Sequence, residues 1–248
     1  MKLEICVDSY ESLLTAKKAG ADRIELCSAL NIGGLTPSFG LMKKAKELKD
    51  IEIFVMIRPR SGDFLYSNED YEIMKEDIIK AKEMGFEGVV LGFLKADGSI
   101  DLERMKEAIE LAKPMEVCLH RAFDNCKDPE KYMDSLIEMG VMRILTSGQK
   151  NTVLEGADLI KNLQKKYGDK ITIMPGSGIT SSNLQRAIDS TGCKKFHMSG
   201  KVNIGSKMEY QFHKTSGDLP IEIENLTVAD FEEIKRARDI LNRNDKKR

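Results

Sequence analysis

Ala19-Gly20-Ala21 ends a helix-like segment just before the strand-like run Arg23-Ile24-Glu25-Leu26-Cys27, and this junction decides the fold. Glycine suits the position because the residue after a helix commonly adopts the left-handed conformation. The same junction recurs at Met84-Gly85-Phe86 and at Met139-Gly140-Val141. Its recurrence predicts a repeated unit in which each helix leads into the next strand.

Strand-like apolar runs alternate with segments of helical periodicity along the whole chain. The predicted strands are residues 3–7, 23–27, 51–57, 88–92, 116–120, 143–147, 171–174 and 195–199. Helical periodicity is clearest at residues 71–84 and 102–112. Eight such units in 248 residues match the length of a (β/α)8 TIM barrel of the α/β class. An open, doubly wound sheet is the alternative, but the regularity of the units favours closure.

The composition bounds the class of protein. The formal net charge is −1 and 41% of the residues are hydrophobic, which supports a sizeable core and indicates neither nucleic acid nor a membrane surface as a partner. No apolar run could span a bilayer, and residues 1–7 are typical of a strand rather than a signal peptide. Five cysteines without paired spacing indicate a reducing compartment, so we expect a cytoplasmic protein.

We expect residues 1–248 to form a single barrel domain, with a disordered basic tail at about residues 244–248. The loops that follow the strands are the longer and more polar ones: residues 28–38, 58–68, 147–151 and 200–226. Because the carboxyl ends of barrel strands share one face, these loops predict a functional site there. Residues 201–226 could cover that face, although a mobile loop is the favoured interpretation.

Carboxylates and thiols alternate on the first two predicted strands, in Glu4-Ile5-Cys6 and Glu25-Leu26-Cys27. Strand side chains alternate with period two, so each Glu shares a face with its Cys. If that face is the barrel interior, Cys6 and Cys27 are candidate ligands for a soft metal ion, and Cys118 could join them. Simple packing is the alternative for each cysteine. Glu25 is a candidate catalytic carboxylate or a structural ion pair, and Glu4 is expected at the barrel floor.

Arg58-Pro59-Arg60 follows the third predicted strand. Guanidinium groups present a planar fork that fits a carboxylate or a phosphate. Arg58 and Arg60 are therefore candidate anion-binding residues. The alternative is that they form ion pairs with Glu25 and Asp124.

The fifth predicted strand ends in His120-Arg121-Ala122-Phe123-Asp124. His120 is a candidate general acid or base because the ordinary pKa of histidine is close to neutral pH. Asp124 is a candidate catalytic partner that would orient His120, and Arg121 is a candidate anion-binding residue. A hydrogen-bonded core histidine is the alternative.

Small residues follow the last three predicted strands, in Ser147-Gly148, Gly176-Ser177-Gly178 and Ser199-Gly200. Many barrels bind phosphate near this point through backbone N–H groups. These residues are therefore candidates for an anion-binding rim. Part of the pattern has another explanation, since Thr180 or Ser181 could cap the next helix.

Taken together, the motifs resemble the CutC copper homeostasis family, which is unrelated to the choline lyase of the same name. The resemblance runs from Cys6 to about Ser199 and thins out beyond. It rests on Glu25-Leu26-Cys27-Ser28, Gly33-Gly34-Leu35-Thr36-Pro37-Ser38, Met56-Ile57-Arg58-Pro59-Arg60-Ser61-Gly62-Asp63-Phe64, His120-Arg121-Ala122-Phe123-Asp124, Ile144-Leu145-Thr146-Ser147-Gly148, Pro175-Gly176-Ser177-Gly178-Ile179 and Phe196-His197-Met198-Ser199.

The resemblance implies a cytosolic barrel that forms homodimers or larger homo-oligomers and binds a copper ion. Two functions are open: the resemblance favours the first, and the charged residues at the barrel mouth favour the second. The first is a copper homeostasis protein that holds copper at Cys6 and Cys27. The second is a barrel enzyme for a small phosphorylated or carboxylated metabolite. In that enzyme Glu25 and His120 would move protons, while Arg58, Arg60 and the rim at residues 176–178 would bind the anion.

Overall fold

The fold is a TIM barrel, as predicted. The computed structural model describes residues 1–209 and 225–246. Its eight parallel strands follow chain order around the barrel, with β1 between β2 and β8. The strands are β1 (Lys2–Val7), β2 (Arg23–Leu26), β3 (Glu52–Met56), β4 (Gly88–Leu91), β5 (Glu116–Leu119), β6 (Arg143–Thr146), β7 (Thr172–Pro175) and β8 (Lys195–Met198). The hydrogen-bonded ladder runs from β7 round to β8, while β7 and β8 meet by packing.

Helices cover the outside of the barrel. They are α1 (Tyr10–Lys18), α2 (Phe39–Lys46), α3 (Asn68–Glu83), α4 (Leu102–Ala112), α5 (Ala122–Asn125), α6 (Met133–Glu138), α7 (Ala157–Tyr167), α8 (Leu184–Thr191) and α9 (Phe231–Asp245). Asn244 and Asp245, expected in a tail, are the last residues of α9. Helix α3 begins three residues before the predicted start because Ser67 and Asp70 form a reciprocal capping box.

A β-hairpin follows the barrel. Strands β9 (Lys201–Gly205) and β10 (Asn225–Ala229) pair antiparallel, with Lys201 opposite Ala229. The hairpin replaces both ends of the predicted mobile loop at residues 201–226. The middle of that loop, residues 210–224, lies outside the described residues.

The strands are buried on both faces, as expected for a parallel sheet covered by helices. One face packs on the helices, and the other points into the barrel. The inward group of apolar side chains comprises Cys27, Phe54, Met56, Val90, Cys118, Leu145 and Met174. Buried charged groups share this interior, so the barrel is filled by mixed layers rather than by hydrocarbon alone.

Phe54 fills the lower part of the interior. The guanidinium carbons of Arg23 and Arg143 lie 4.6 Å and 4.5 Å from the centre of its ring. Gly88 on the adjacent strand makes room for the ring, since a Cβ at that position would lie 2.4 Å from Phe54 Cε2. Arg23 Nε also lies 3.4 Å from Glu4 Oε2, which places Glu4 in an ion pair near the barrel floor.

Candidate functional site

A cavity of about 1290 Å³ opens at the carboxyl ends of the strands. The predicted site residues that line it are Cys6, Glu25, Arg58, His120, Arg121, Gly176, Ser177, Gly178, Ser199 and Gly200. Other predicted residues, namely Cys27, Arg60, Asp124, Ser147 and Gly148, are outside this lining. The strand exits therefore converge on one cavity, and these five residues have other roles.

Three metal-ligating side chains meet in the cavity wall. One ligand atom from each of Cys6, Glu25 and His197 lies within 4.8 Å of the other two. His197 Nε2 is 3.7 Å from Glu25 Oε2. On its other side, His197 Nδ1 is 2.8 Å from Glu4 Oε1. Cys6 is half-buried, whereas Glu4, Glu25 and His197 are buried.

His197 belongs to this site but was not among the predicted site residues. Its side chain points inward from β8, where it stands in register with Glu4 of β1. The sequence carried a signal, because strand periodicity places residue 197 on the same face as Ser199. Gly176 supplies the space, since a Cβ there would lie 3.2 Å from His197 Cβ.

Burial and mutual charge set the proton affinities of this group. Burial raises the pKa of Glu25 to about 7; the charge on His197 opposes this shift and the charge on Glu4 adds to it. Burial by itself would lower the pKa of His197, but the electrostatic influence of Cys6 and Glu25 and the hydrogen bond to Glu4 raise it well above its ordinary value. The imidazole is therefore held between two carboxylates and a thiol.

Cys27 and Cys118 are fully buried below the cavity. Cys27 Sγ lies 3.8 Å from Glu25 Oε2, and a Cβ at Gly34 would lie 3.3 Å from the same sulfur. Burial, followed by the charges of nearby carboxylates, raises the pKa of both thiols well above the ordinary value. Both side chains are thus neutral packing groups within the barrel.

His120 is buried and lies against Phe64, with ring centres 4.7 Å apart. Its Nδ1 accepts a hydrogen bond of 3.1 Å from the Ala122 N–H, so the proton of the neutral ring is on Nε2. Burial and then the charge of Arg58 lower the pKa of His120 to about 3. His120 is therefore a neutral hydrogen-bond donor rather than a proton-transfer group near pH 7.

Asp124 does not orient His120, because no hydrogen bond joins them among the described residues. Its carboxylate instead accepts hydrogen bonds from Ser147 N–H at 2.9 Å and from the Thr146 hydroxyl. It also forms an ion pair of 2.8 Å with Arg121 Nε. Arg121 continues to Ser147 Oγ at 2.7 Å and to Ser177 Oγ at 3.3 Å. This network connects the exits of β5, β6 and β7.

Arg60, the second arginine of the Arg58-Pro59-Arg60 motif, stabilises its own loop. Arg60 Nε lies 2.9 Å from Asp70 Oδ2, and its Nη2 lies 3.1 Å from Asp63 Oδ1. These contacts attach the loop to the start of α3. Gly148 likewise has a backbone role, since a Cβ there would lie 2.2 Å from the Gly156 carbonyl oxygen.

The family model described as the CutC family matches residues 1–202. The chain belongs to the CutC family. A CutC family protein of Pasteurella multocida is 41% identical over 235 residues, which are 95% of this chain and 96% of the relative. The human relative named copper homeostasis protein cutC homolog is 46% identical over 209 residues, which are 84% of this chain and 77% of the relative.

Solved structures agree with this assignment. The crystal structure of CutC from Streptococcus agalactiae has a TM-score of 0.77 and 35% identity, covering 80% of this chain and 98% of that one. Phosphoribosyl anthranilate isomerase from Thermotoga maritima has a TM-score of 0.56 at 15% identity over 98% of both chains, which shows the shared barrel fold alone. The match to the CutC family model includes Cys6, Glu25 and His197 and ends before β10.

No helix in residues 1–209 and 225–246 has the length and apolar character needed to cross a membrane.

His120 gives this CutC protein a specific dependence of stability on pH. Its pKa of about 3 in the folded chain lies below the ordinary 6.5, so the unfolded chain binds more protons between these values. Stability is therefore lost as the pH falls from 6.5 towards 3, by about 1.4 kcal/mol per pH unit. In His120→Asn this dependence is removed, while the amide oxygen can still accept from Ala122.

Urea unfolding at pH 6.5 and pH 5 tests the expectation. The wild type should lose about 2 kcal/mol more than His120→Asn across this interval. Glu25 works in the opposite sense, because its raised pKa makes stability fall as the pH rises through about 7. Its contribution is common to both proteins and cancels in the comparison. Equal losses in the two proteins would show that His120 titrates normally when folded.

Proposed function

We propose that this CutC protein acts in copper homeostasis by binding one Cu(I) ion at Cys6 and His197, with Glu25 beside them. The observation that supports the proposal is the approach of one ligand atom from each of these residues to within 4.8 Å. A sulfur ligand at about 2.3 Å and a nitrogen ligand at about 2.0 Å can lie at most about 4.3 Å apart on one ion. A small side-chain movement therefore suffices for all three atoms to reach the same ion.

The three candidate ligands differ in how well they suit Cu(I). Thiolate and imidazole are ligands that Cu(I) favours, whereas a carboxylate is a harder ligand. We therefore assign the two main bonds to Cys6 and His197, and a charge-balancing position to Glu25. Glu4 accepts from His197 Nδ1 and leaves Nε2 free for the ion, which is how carboxylates commonly orient metal-binding histidines. Because the pKa of His197 is raised, Cu(I) would replace the Nε2 proton, which is released to solvent.

Copper is cargo in this proposal, since homeostasis requires the ion to be taken up and released. Cys6 and His197 both line the open cavity, so the ion can reach them from solvent. The five free cysteines of the described chain suit a reducing compartment, and we place the protein in the cytoplasm. The family resemblance further implies a homodimer or larger homo-oligomer, which sedimentation would detect as a multiple of 27.9 kDa.

The alternative enzyme mechanism required Asp124 to orient His120. The Asp124 carboxylate is bound to Ser147 and Arg121 instead. His120 is held neutral, so it is a poor proton shuttle at neutral pH. For these reasons we do not propose that mechanism.

Titration with Cu(I) against a colorimetric chelator tests the proposal. The wild type should bind one Cu(I) per chain, and His197→Asn should bind at least about ten times more weakly because one of two principal ligands is lost. X-ray absorption of the loaded protein should show one sulfur and one nitrogen ligand. Two sulfur ligands would assign the ion to Cys6 and Cys27, and full affinity in His197→Asn would refute the site.

A further inference from the structure

Arg58 carries a buried positive charge that no carboxylate balances within the described part of the chain. Arg58 is only 5% exposed, and its guanidinium hydrogen bonds among those residues go to backbone carbonyl oxygens rather than to carboxylates. Its Nη groups donate to the backbone carbonyls of Ile32, Gly34 and Gly62. Its Nε–H has no hydrogen-bond partner among the described residues, although the Tyr66 hydroxyl lies close enough to the guanidinium to feel its charge. An unpaired buried charge is costly, so an anion beside it would be strongly favoured.

His120 presents a second unpaired donor beside the first. Its Nε2 is buried and has no partner among the described residues, although its Nδ1 is satisfied. Phe64 lies against both groups: its ring is 4.7 Å from the His120 ring and 5.2 Å from the Arg58 guanidinium carbon. All three side chains line the same cavity. Two N–H donors and one positive charge are thus gathered in a place shielded from bulk water.

The cavity is far larger than a metal ion requires. Pockets for small organic ligands typically measure about 300–1,000 Å³ and present a few well-placed polar groups on an otherwise apolar lining. The cavity here, about 1290 Å³, has that character near Arg58, where Leu30, Phe64 and Leu94 contribute apolar surface. A ligand seated there could extend towards Cys6 and His197.

We propose that this cavity binds a small organic carboxylate, with one oxygen accepting from Arg58 Nε–H and the other from His120 Nε2–H. One guanidinium charge matches one carboxylate, and a neutral imidazole donor adds no second charge. A phosphate dianion would call for another cation beside these two donors. Of the other cationic side chains in the lining, Arg121 is paired with Asp124, His197 lies against Glu4 and Glu25, and Lys201 is exposed on β9. Both donor atoms have less than 1 Å² accessible, so the proposal requires the Phe64 ring to turn aside as the ligand enters.

Acetate is a suitable probe because it is little more than the proposed recognition group. We expect acetate titrated into the full chain at pH 7 to cause saturable NMR shifts at His120 Nε2 and at the Gly33 and Gly92 amides. Sodium chloride at equal ionic strength should not cause them. In His120→Asn, which keeps the acceptor for Ala122 and lacks the Nε2 donor, the affinity should fall at least about five-fold.

Two further variants make the outcome decisive. Arg58→Lys retains the charge, and with it most of the fold, but removes the Nε donor, so binding should again weaken at least about five-fold. Phe64→Leu keeps an apolar cover and should bind acetate at least as tightly as the wild type. Shifts that chloride reproduces, or unchanged acetate affinity in both His120→Asn and Arg58→Lys, would overturn the proposal. Tighter binding of inorganic phosphate than of acetate would overturn the carboxylate assignment.

Discussion

Replacing Cys6 by serine is expected to weaken Cu(I) binding at least about 100-fold, because the thiolate is the softest ligand in the proposed site. Serine preserves the size of the side chain, and Cys6 is half-buried at the cavity wall, so the fold should be retained. Competition with a chelator of known Cu(I) affinity would measure the change. Circular dichroism of both proteins would show that the comparison is between folded chains.

Cys27→Ser is the matched control for that experiment. Cys27 lies below the cavity lining, and burial keeps its thiol protonated, so copper affinity should change less than about three-fold. The expectation from the sequence that Cys6 and Cys27 act as a pair makes the opposite prediction, an equal loss in both variants. Equal losses would therefore restore the two-cysteine site and remove His197 from it.

Gly88→Ala is expected to lower the free energy of unfolding by about 3 kcal/mol, near the upper end of ordinary overpacking costs. The added Cβ would lie 2.4 Å from Phe54 Cε2. The ring cannot retreat easily, since the guanidinium groups of Arg23 and Arg143 lie within 4.6 Å of its centre. Urea unfolding monitored by circular dichroism would give the free energy.

Gly40→Ala provides the control because nothing lies within 4 Å of a Cβ at that position in α2. Alanine is the better helix former, so this variant should be as stable as the wild type or slightly more so. The double variant Gly88→Ala with Phe54→Leu should recover part of the loss, because the smaller side chain vacates the space. A Gly88→Ala protein as stable as Gly40→Ala would mean that the interior layer is loosely packed.

The barrel could be predicted from the sequence because its signals are local. Each predicted strand end lies within one residue of the observed end, since β-branched and aliphatic runs stop at polar exits. The β9–β10 hairpin was missed because Lys201–Gly205 has exposed side chains and no core-facing alternation. The start of α3 was missed because the capping box, rather than apolar periodicity, determines it.

The candidate site was predictable only as far as strand geometry determines it. Glu25, Arg58 and His120 stand at strand exits, and all three line the cavity. Arg60 and Asp124 lie in loops, where neighbouring backbone donors and carboxylates decide the direction of a side chain. Strand periodicity places Cys27 on the same face as Glu25, but Gly34 packs against the Cys27 sulfur. The spacing of residues in the sequence does not reveal this contact between two segments. His197 could have been included in the predicted site, because strand periodicity in β8 places it on the same face as Ser199.

The contact between β7 and β8, which meet by packing, affects how readily β8 opens locally. Strand β8 is hydrogen-bonded to β1, whereas β3 has a ladder on both sides. Elements secured along one edge open at a lower free energy, so amide hydrogen exchange should be faster in β8 than in β3. His197 stands on β8. The proposed copper ligand thus belongs to a strand that we expect to open more readily than β3, and brief separation of β7 from β8 would give an ion room to enter and to leave.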